Sequence, residues 1–313
     1  MFRRFLIWIA VFLGSSFYAR AQWDVQFSDY ASLKAFYNPA VSGTDGLLNV
    51  NAAYSMQMVG FEGAPKTMFV GADIPIYFIG PRHGAGVSFM SDEIGMFKTQ
   101  KFSIQYAYNF KLGKKARLAA GIQASMLTET FDPSDIELGD DSDPAFPTSS
   151  TDGSGFDLGA GLYFYHPDYW GGFSVQHILS PTIMLGETNE ISISPMYYLM
   201  GGCNIKIRNT LLSLQPSFLV QSDFQSWRED ITCKLTYDND GKKFYGGLGY
   251  SPNTSFTVLL GGEFHGISLG YSYQIYTTGI GLQNGSHEIV LGYKTNLDLF
   301  KKGRNKHKSV RIL

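Results

Sequence analysis

The sequence has few charged residues and no long hydrophobic run after its first twenty residues. Charged residues make up 17% of the 313 residues, against about 25% in an average soluble domain. Intrinsic disorder is excluded, because disordered chains are poor in hydrophobic residues and this chain is 44% hydrophobic. No later apolar run approaches the roughly 18–20 residues of a membrane-spanning helix. A net charge of −2 gives no support for nucleic-acid binding, so nucleic acid is not expected among the partners.

Patterns that carry catalysis or bind metals are also missing. The six histidines lie at positions 83, 166, 177, 265, 287 and 307. Their spacing does not match that of known metal ligands. The sequence has no nucleophile elbow, phosphate loop or paired-carboxylate signature. We therefore expect no enzyme activity, no cofactor and no resident metal. With only two cysteines, the chain is also not a disulfide scaffold.

Residues 1–21 have the features of a secretory signal peptide. Arg3 and Arg4 precede an apolar stretch at 5–13 that is too short to span a membrane. The tripeptide at 19–21 is an A-x-A cleavage pattern, which predicts removal of the peptide near Ala21. A short N-terminal anchor is the alternative. Cleavage removes three arginines and no acid, so the mature chain has a net charge of about −5.

From residue 46 onward, apolar and polar residues alternate with a period of two. Successive side chains of a β-strand point to opposite faces, so each such segment is predicted to be a strand with one apolar and one polar face. About fourteen segments have this pattern, near residues 46–58, 65–75, 83–90, 100–111, 116–128, 154–165, 169–178, 194–207, 210–221, 228–237, 243–250, 255–264, 266–274 and 286–296. Many have a length close to the roughly 9–11 residues with which a tilted strand crosses a bilayer.

The connections between these segments alternate between short and long. Tight turns are predicted at 114–115, 166–168, 208–209, 238–241 and 265–266, and longer connections at 129–153, 179–193 and 275–285. Outer-membrane barrels have short periplasmic turns and longer outside loops, and an even strand number leaves both chain ends in the periplasm. The predicted organisation is a periplasmic or luminal segment at 22–45, a barrel at 46–300 and a basic periplasmic tail at 301–313.

The small, uncharged polar face of these strands favours a membrane barrel over a secreted soluble β-protein, which is the alternative. The predicted fold is all-β: a transmembrane antiparallel up-and-down β-barrel of about 14 strands, of the outer-membrane type. Closure removes the sheet edges that lipid does not tolerate. Five large residues have the inward parity and are predicted to fill the lumen: Phe69, Leu127, Tyr163, Tyr165 and Leu259.

The two cysteines are predicted to be free and to face lipid. Cys203 and Cys233 lie in the eighth and tenth segments, with one strand between them. Strands lie about 4.8 Å apart, so the separation of roughly 10 Å exceeds the limit of about 7 Å for a disulfide.

Four short motifs add specificity. The chain has QFSDY at 26–30, NPAVSG at 38–43, QMVGFEGAPKT at 57–67 and GSHE at 285–288. Their order and spacing resemble the PorP/SprF family of Bacteroidetes outer-membrane proteins, with a QFSQY-like start, NPAxxG, QWxGFxGAPxT and GSHE. The resemblance extends from about Gln22 to Phe300. One departure is Met58, which stands where the family usually has a tryptophan, so a stacking role at that position is in doubt.

The resemblance implies an accessory component of type IX protein secretion, associated in many members with gliding motility. It further implies three kinds of partner: outer-membrane lipid, type IX components on the periplasmic side, and a secreted cargo or adhesin outside. A diffusion channel or hydrophobic-solute transporter is the competing function, and a purely structural anchor for an adhesin is a third. The implied location is the bacterial outer membrane.

Two motifs are candidates for partner contact. Asn38 and Pro39 precede the first strand, where they form either a turn that leads the chain into the barrel or a segment that docks a partner or plugs the pore. Gly60, Phe61, Gly63 and Pro65 occupy the first outside loop, where glycine and proline also suit a tight turn. Both interpretations remain open for each motif.

Two charged segments also allow both a structural and a functional interpretation. The stretch 129–152 has eight acidic residues and no Lys or Arg. It is a solvated loop or a calcium-binding loop, since hard cations take carboxylate oxygens. The tail 301–313 has Lys301, Lys302, Arg304 and three further basic residues, with no acid. It is either a solvated extension or an electrostatic docking site for an acidic periplasmic partner.

Overall fold

The computed structural model describes residues 24–77, 82–133, 150–186, 189–208, 211–278 and 284–296. The predicted signal peptide, most of the acidic stretch 129–152 and the basic tail with Lys301, Lys302 and Arg304 lie outside these residues. Among the described residues, no helix is long and apolar enough to cross a membrane. The helical residues are α1, Lys34–Tyr37, and a 3₁₀ turn, Pro39–Val41.

The rest of the described chain is mainly β-strand. The strands are β1 Leu48–Met56, β2 Lys66–Pro75, β3 His83–Ile94, β4 Phe97–Leu112, β5 Ala116–Phe131, β6 Thr151–His166, β7 Tyr169–Gln176, β8 Thr182–Leu185, β9 Asn189–Ser192, β10 Met196–Cys203, β11 Ile205–Lys206, β12 Leu212–Ser222, β13 Trp227–Asn239, β14 Lys242–Ser251, β15 Ser255–Phe264, β16 Ile267–Tyr276 and β17 Ser286–Thr295.

These strands close into an antiparallel barrel. Each wall strand pairs with its sequence neighbours, β1 pairs with β17, and β10 pairs with both β7 and β12. β10 and β11 are two pieces of one wall strand, so the described residues form a wall of fourteen strands. The predicted fold class is confirmed. The fold follows from the alternation, because each strand buries one face in the lumen and turns the other outward.

The two ends of the barrel differ, and we name them by their connections. The short-turn end carries the turns at 113–115, 167–168, 240–241 and 265–266 and the start of β1. The long-loop end carries the connection at 57–65, the end of β5 and start of β6, the end of β7 and start of β10, and the end of β16 and start of β17.

The predicted assignment of faces is confirmed by the exposure of the strand side chains. Ile122 is 62% exposed on the outer wall, whereas the next residue, Gln123, is 3% exposed and points into the lumen. Phe69, Leu127, Tyr163 and Leu259 are buried inside as predicted, and Tyr165 is partly buried. Cys203 and Cys233 are free, with β12 between their strands, and both have the outward parity.

The structure corrects several strand boundaries. β3 and β4 extend to a two-residue turn at Gly95 and Met96, whereas the alternation predicts strands that end at 90 and begin at 100. Ser91 and Glu93, which have the outward parity there, are polar, so the apolar pattern fades while the pairing with β4 continues. Asn204 interrupts the predicted strand 194–207.

The predicted loops at 129–153 and 179–193 also contain strand. Glu129 lies within β5 and Asp152 within β6, so the acidic stretch begins and ends in the wall. β8 and β9 pair with each other as a hairpin, and neither pairs with a described wall strand. Ile183 of β8 contacts the inner face of β6 at Gly155, where the missing side chain leaves room for it.

Candidate functional site

Residues 24–47, which precede β1, form a plug inside the barrel. Asp24, the first described residue, lies in the half of the lumen nearer the long-loop end, beside His177 and Tyr198. From there the plug runs along the lumen to the short-turn end, where Gly46 accepts a hydrogen bond from Tyr77 and the chain enters β1. The chain's own N-terminal segment therefore runs along the length of the lumen.

Aromatic packing holds the plug in the half nearer the long-loop end, here called the aromatic half. The rings of Phe27, Tyr37 and Phe69 surround Phe36 with centroid distances of 5.2, 4.9 and 5.1 Å. The plug contributes Phe27, Tyr30, Leu33, Phe36 and Tyr37 to this core, and the wall contributes Ala53, Phe69, Met90, Met196, Tyr198, Met200, Leu219 and Val290. Burial of this apolar surface stabilises the plug in its place.

Lumen-facing polar side chains form hydrogen bonds with backbone groups of the plug. Both carboxylate oxygens of Glu288 on β17 accept backbone N–H groups of the plug, from Ser28 at 2.7 Å and Asp29 at 2.9 Å. Gln176 donates to the carbonyl of Phe36 at 2.9 Å, and Ser174 donates to that of Tyr37 at 2.7 Å. A short irregular segment has few backbone bonds of its own, so these side chains replace the partners that water would supply.

The NPAVSG motif anchors the plug to strands β2 and β6 of the wall. The Asn38 amide donates to the carbonyl of Leu162 at 2.9 Å, and its oxygen accepts the N–H of Ala40 at 2.9 Å. Gly43 has a φ of +69°, a conformation that suits glycine, and its N–H donates to Asp73 at 2.8 Å.

Glycines on the wall make room for this motif. A Cβ at Gly121 would overlap the backbone of Ala40, and one at Gly84 would overlap the Ser42 carbonyl. A Cβ at Gly161 would overlap the Asn38 amide. Gly84 and Gly121 thus allow the backbones of plug and wall to touch, and Gly161 makes room for the Asn38 side chain.

A buried histidine fastens the start of the plug to the wall. His177 lies 2.9 Å from Asp157 of β6 through Nδ1 and 3.3 Å from Asp24 of the plug through Nε2. Tyr198 donates to the same Asp24 carboxylate at 2.6 Å. Burial opposes the charged form of His177, but the bonds to Asp157 and Asp24 outweigh it and raise its pKa. Burial likewise opposes the charge of Asp24, but Lys101 and His177 lower its pKa.

The half of the lumen nearer the short-turn end, here called the polar half, contains a cavity of about 300 Å³. Lys234 pairs with Asp29 of the plug at 2.5 Å across the lumen. Lys34 lies 4.0 Å above the Trp170 ring, and burial lowers its pKa to about 8. Asp45 and Lys294 pair at 3.5 Å, with side chains 47% and 44% exposed, so the cavity opens toward the short-turn end.

The first loop at the long-loop end, residues 57–65, connects two of the sequence motifs. Val59 N–H donates to the carbonyl of Gly285 at 3.0 Å, and Met58 N–H donates to the Ser286 hydroxyl at 3.1 Å. Gly60 and Gly63 have φ values of +108° and +66°. The QMVGFEGAPKT and GSHE motifs thus form one rim contact.

The structure separates the predicted partner-contact residues into three places. Asn38 and Pro39 are buried in the lumen, whereas Gly60, Phe61 and Gly63 are exposed on the long-loop rim and Pro65 is partly exposed there. Lys301, Lys302 and Arg304 lie outside the described residues.

Sequence reasoning missed the lumen contacts of Asp24 and His177, and it placed Glu288 inward without its plug partners. The clustered aromatic and apolar residues at 27, 30, 33, 36 and 37 were the available signal for burial. In the part of the chain that the structure describes, no group of three His, Cys, Asp or Glu side chains is arranged to hold a metal ion.

Comparison with known proteins gives a family match and distant structural matches. The model of the family described as "Type IX secretion system membrane protein PorP/SprF" matches residues 19–293. No curated protein matches the chain.

Solved structures match over most of their length at low identity. A FadL homologue from Pseudomonas aeruginosa is 14% identical, with 83% of this chain and 92% of that chain covered and a TM-score of 0.46. The CymD monoaromatic hydrocarbon channel is 11% identical, with 84% and 91% covered and a TM-score of 0.48. The Acinetobacter baumannii outer membrane protein Omp33 is 5% identical, with 80% and 98% covered and a TM-score of 0.44.

Proposed function

Because this chain belongs to the PorP/SprF family of type IX secretion system membrane proteins, we propose that it is a non-enzymatic accessory of type IX secretion. In this role the barrel links a secreted cargo or adhesin at the cell surface to the secretion machinery in the periplasm. A part in gliding motility belongs to the same proposal.

The plugged lumen is the observation that carries the accessory role. Plug bonds reach wall strands from β2 to β17, and aromatic packing fills the aromatic half. A barrel that holds its own N-terminal segment in this way is suited to present its rims to partners. The long-loop rim is then the surface for cargo, and the short-turn end and the basic tail face the periplasm.

Single-channel recording tests this role against the diffusion channel, the competing function. The accessory role predicts that the purified full barrel is closed in planar bilayers. A variant without residues 24–37 should conduct, provided that it assembles, and it shows that the assay detects an open barrel. Steady conductance by the unaltered protein would favour the channel.

Topology is tested by labelling single cysteines at Ser142 and Ser309 in a Cys203→Ser, Cys233→Ser background. An impermeant maleimide added to intact cells should label position 142 and spare position 309. Labelling of position 309 alone would place the acidic stretch in the periplasm and contradict the assignment of partners to rims.

The basic tail is tested by charge neutralisation. Replacement of Lys301, Lys302 and Arg304 by Gln should reduce cargo export and weaken crosslinking to periplasmic components. Replacement of Lys114 and Lys115, which lie exposed in a short turn, is the matched control. Equal export by both variants would make the tail a solvated extension. If cells that lack this protein export the cargo but release it into the medium, the protein would instead be an anchor for an adhesin.

A further inference from the structure

Strand β6 has a stretch of edge that no wall strand covers. β6 pairs with β5 from Thr151 to Tyr165, but β7 pairs only with residues 160–166. Among the described residues, Leu158 is the last on this side to receive a backbone bond, from the N–H of Ile178 at 3.0 Å. We call the remaining segment, residues 151–157, the free edge. A closed barrel normally leaves no such edge.

The pairing geometry identifies the backbone groups that the free edge presents. In an antiparallel ladder, the N–H and C=O of one residue point to the same neighbour, and successive residues alternate between neighbours. The Leu158 carbonyl points to the β7 side, so Asp152, Ser154 and Phe156 also point their N–H and C=O groups to that side. These groups form a template for one additional strand.

The outward side chains place most of this edge beyond the hydrocarbon layer. Phe156 and its neighbour on β5, Met126, are exposed apolar residues. One step further toward the long-loop end, Ser154 pairs with Thr128. Unpaired backbone groups are not tolerated in lipid but are tolerated in water. The free edge is therefore available to a partner in solution.

The chain's own β8 runs past this edge without pairing to it. Ile183 and Met184 of β8 contact the inner face of β6 at Gly155 and Gly153, where the absence of a Cβ leaves space. β8 uses its own backbone groups to pair with β9. The hairpin thus covers the inner face behind the edge, and no strand in the described part of the chain pairs with the edge itself.

We propose that the free edge binds an extended, cationic segment of a secreted protein, which adds to β6 as a further strand. This inference rests on the proposed function and names the kind of partner segment. Strand addition draws affinity from main-chain hydrogen bonds and specificity from alternate side chains.

The negative charge around the free edge favours a cationic partner. Asp152 is exposed on the edge, and Glu190 is exposed on the neighbouring hairpin. The stretch 129–152 that leads into the edge has eight acids and no Lys or Arg. A second copy of this chain is disfavoured, because edge-to-edge pairing would place two acidic segments side by side.

The test uses the purified full mature protein in detergent micelles and a fluorescein-labelled nonapeptide of alternating Thr and Lys. Fluorescence anisotropy at low salt should show saturable binding. The same peptide with Glu in place of Lys should bind at least about tenfold more weakly. A fully N-methylated Lys peptide keeps the charge but cannot donate main-chain hydrogen bonds, and it should bind as weakly as the Glu peptide. Equal binding by the parent and N-methylated peptides would overturn strand addition.

A matched pair of variants tests the edge from the side of the protein. Ser154→Pro removes one N–H of the free edge, and proline is tolerated on edge strands. Ser154→Ala removes the same hydroxyl, which contacts Thr128 at 3.1 Å, but keeps the N–H. We expect Ser154→Pro to weaken binding at least about tenfold and Ser154→Ala to bind like the parent. Equal binding by the two variants would refute strand addition at the free edge. If Ser154→Pro does not assemble, the comparison of the parent and N-methylated peptides tests strand addition instead.

Two further outcomes are informative. A Ser154→Cys variant that crosslinks to a second copy of itself would assign the edge to self-association and overturn the proposal. Peptide binding needs no secretion machinery, so it tests the edge independently of the proposed function. Binding that depends on Ser154 N–H, combined with normal cargo export by Ser154→Pro cells, would contradict a role of this edge in secretion and leave it a peptide site.

Discussion

The two halves of the lumen hold the same plug by different means. In the aromatic half, Phe27, Phe36 and Tyr37 pack against wall residues with little room left between them. In the polar half, the plug borders a cavity of about 300 Å³ and is held by ion pairs such as Lys234 with Asp29. Apolar packing resists displacement wherever water is excluded. A buried ion pair such as Lys234 with Asp29 adds little net stability, because the loss of hydration of the two charges offsets their attraction. The aromatic half should therefore carry most of the plug's stability.

The largest expected effect comes from truncation in the aromatic half. Phe36→Ala removes a ring that touches three other rings and should lower the free energy of unfolding by about 3–5 kcal/mol, the range for large-to-small core changes. Urea unfolding followed by tryptophan fluorescence measures this. Phe102→Ala, on the exposed outer face, is the control and should cost much less. Equal losses would remove the distinction between the plug core and the lipid face.

A clash at the glycine contacts should have the next largest effect. Gly121→Leu drives a side chain into the backbone of Ala40 and should cost about 1–3 kcal/mol or displace the plug. Gly246 has the outward parity on β14, and its nearest side-chain contact is an ordinary one with Leu260. Gly246→Leu should therefore be tolerated. Bilayer conductance in the Gly121→Leu variant alone would show that the plug closes the lumen.

A pH dependence should appear at the start of the plug. The raised pKa of His177 means that the folded protein holds this proton more tightly than the unfolded chain does. Its contribution is complete below the ordinary value of about 6.5 and is lost as the pH rises through the raised value. We expect His177→Asn to abolish this fall in stability, whereas His83→Asn, at the outer wall, should keep it. An unchanged pH profile in His177→Asn would contradict the role of His177.

The smallest expected effect comes from the polar half. Its pH dependence is opposite in sign to that of His177. Burial lowers the pKa of Lys34 from 10.5 to about 8, so the unfolded chain holds this proton more tightly. Stability should rise as the pH rises from about 8 toward 10.5. Lys34→Met should remove this rise and change stability at pH 7 by only about 1 kcal/mol, because it loses the contact with Trp170. A large loss of stability at pH 7 would mean that the polar half contributes more to the stability of the plug than we expect.

The sequence was sufficient to predict the strands of the wall but not the contacts of the plug. Ile122 and Gln123 show why: a period of two assigns each residue to a face without knowledge of its partner. Asn38 and Leu162, which hydrogen-bond in the lumen, are 124 residues apart and follow no local period. The β8–β9 hairpin was missed for a related reason, since its strands have four residues each and its position depends on glycines of β6.

The contact between Glu288 and the plug has a consequence for the order of assembly. Glu288 lies on β17, the strand that completes the cylinder by pairing with β1, and it binds the N–H groups of Ser28 and Asp29. The wall also touches the plug closely at Gly84, Gly121 and Gly161. An N-terminal segment that is in position before the last strand arrives would offer that strand two backbone N–H groups, and it would then serve as a template for closing the cylinder.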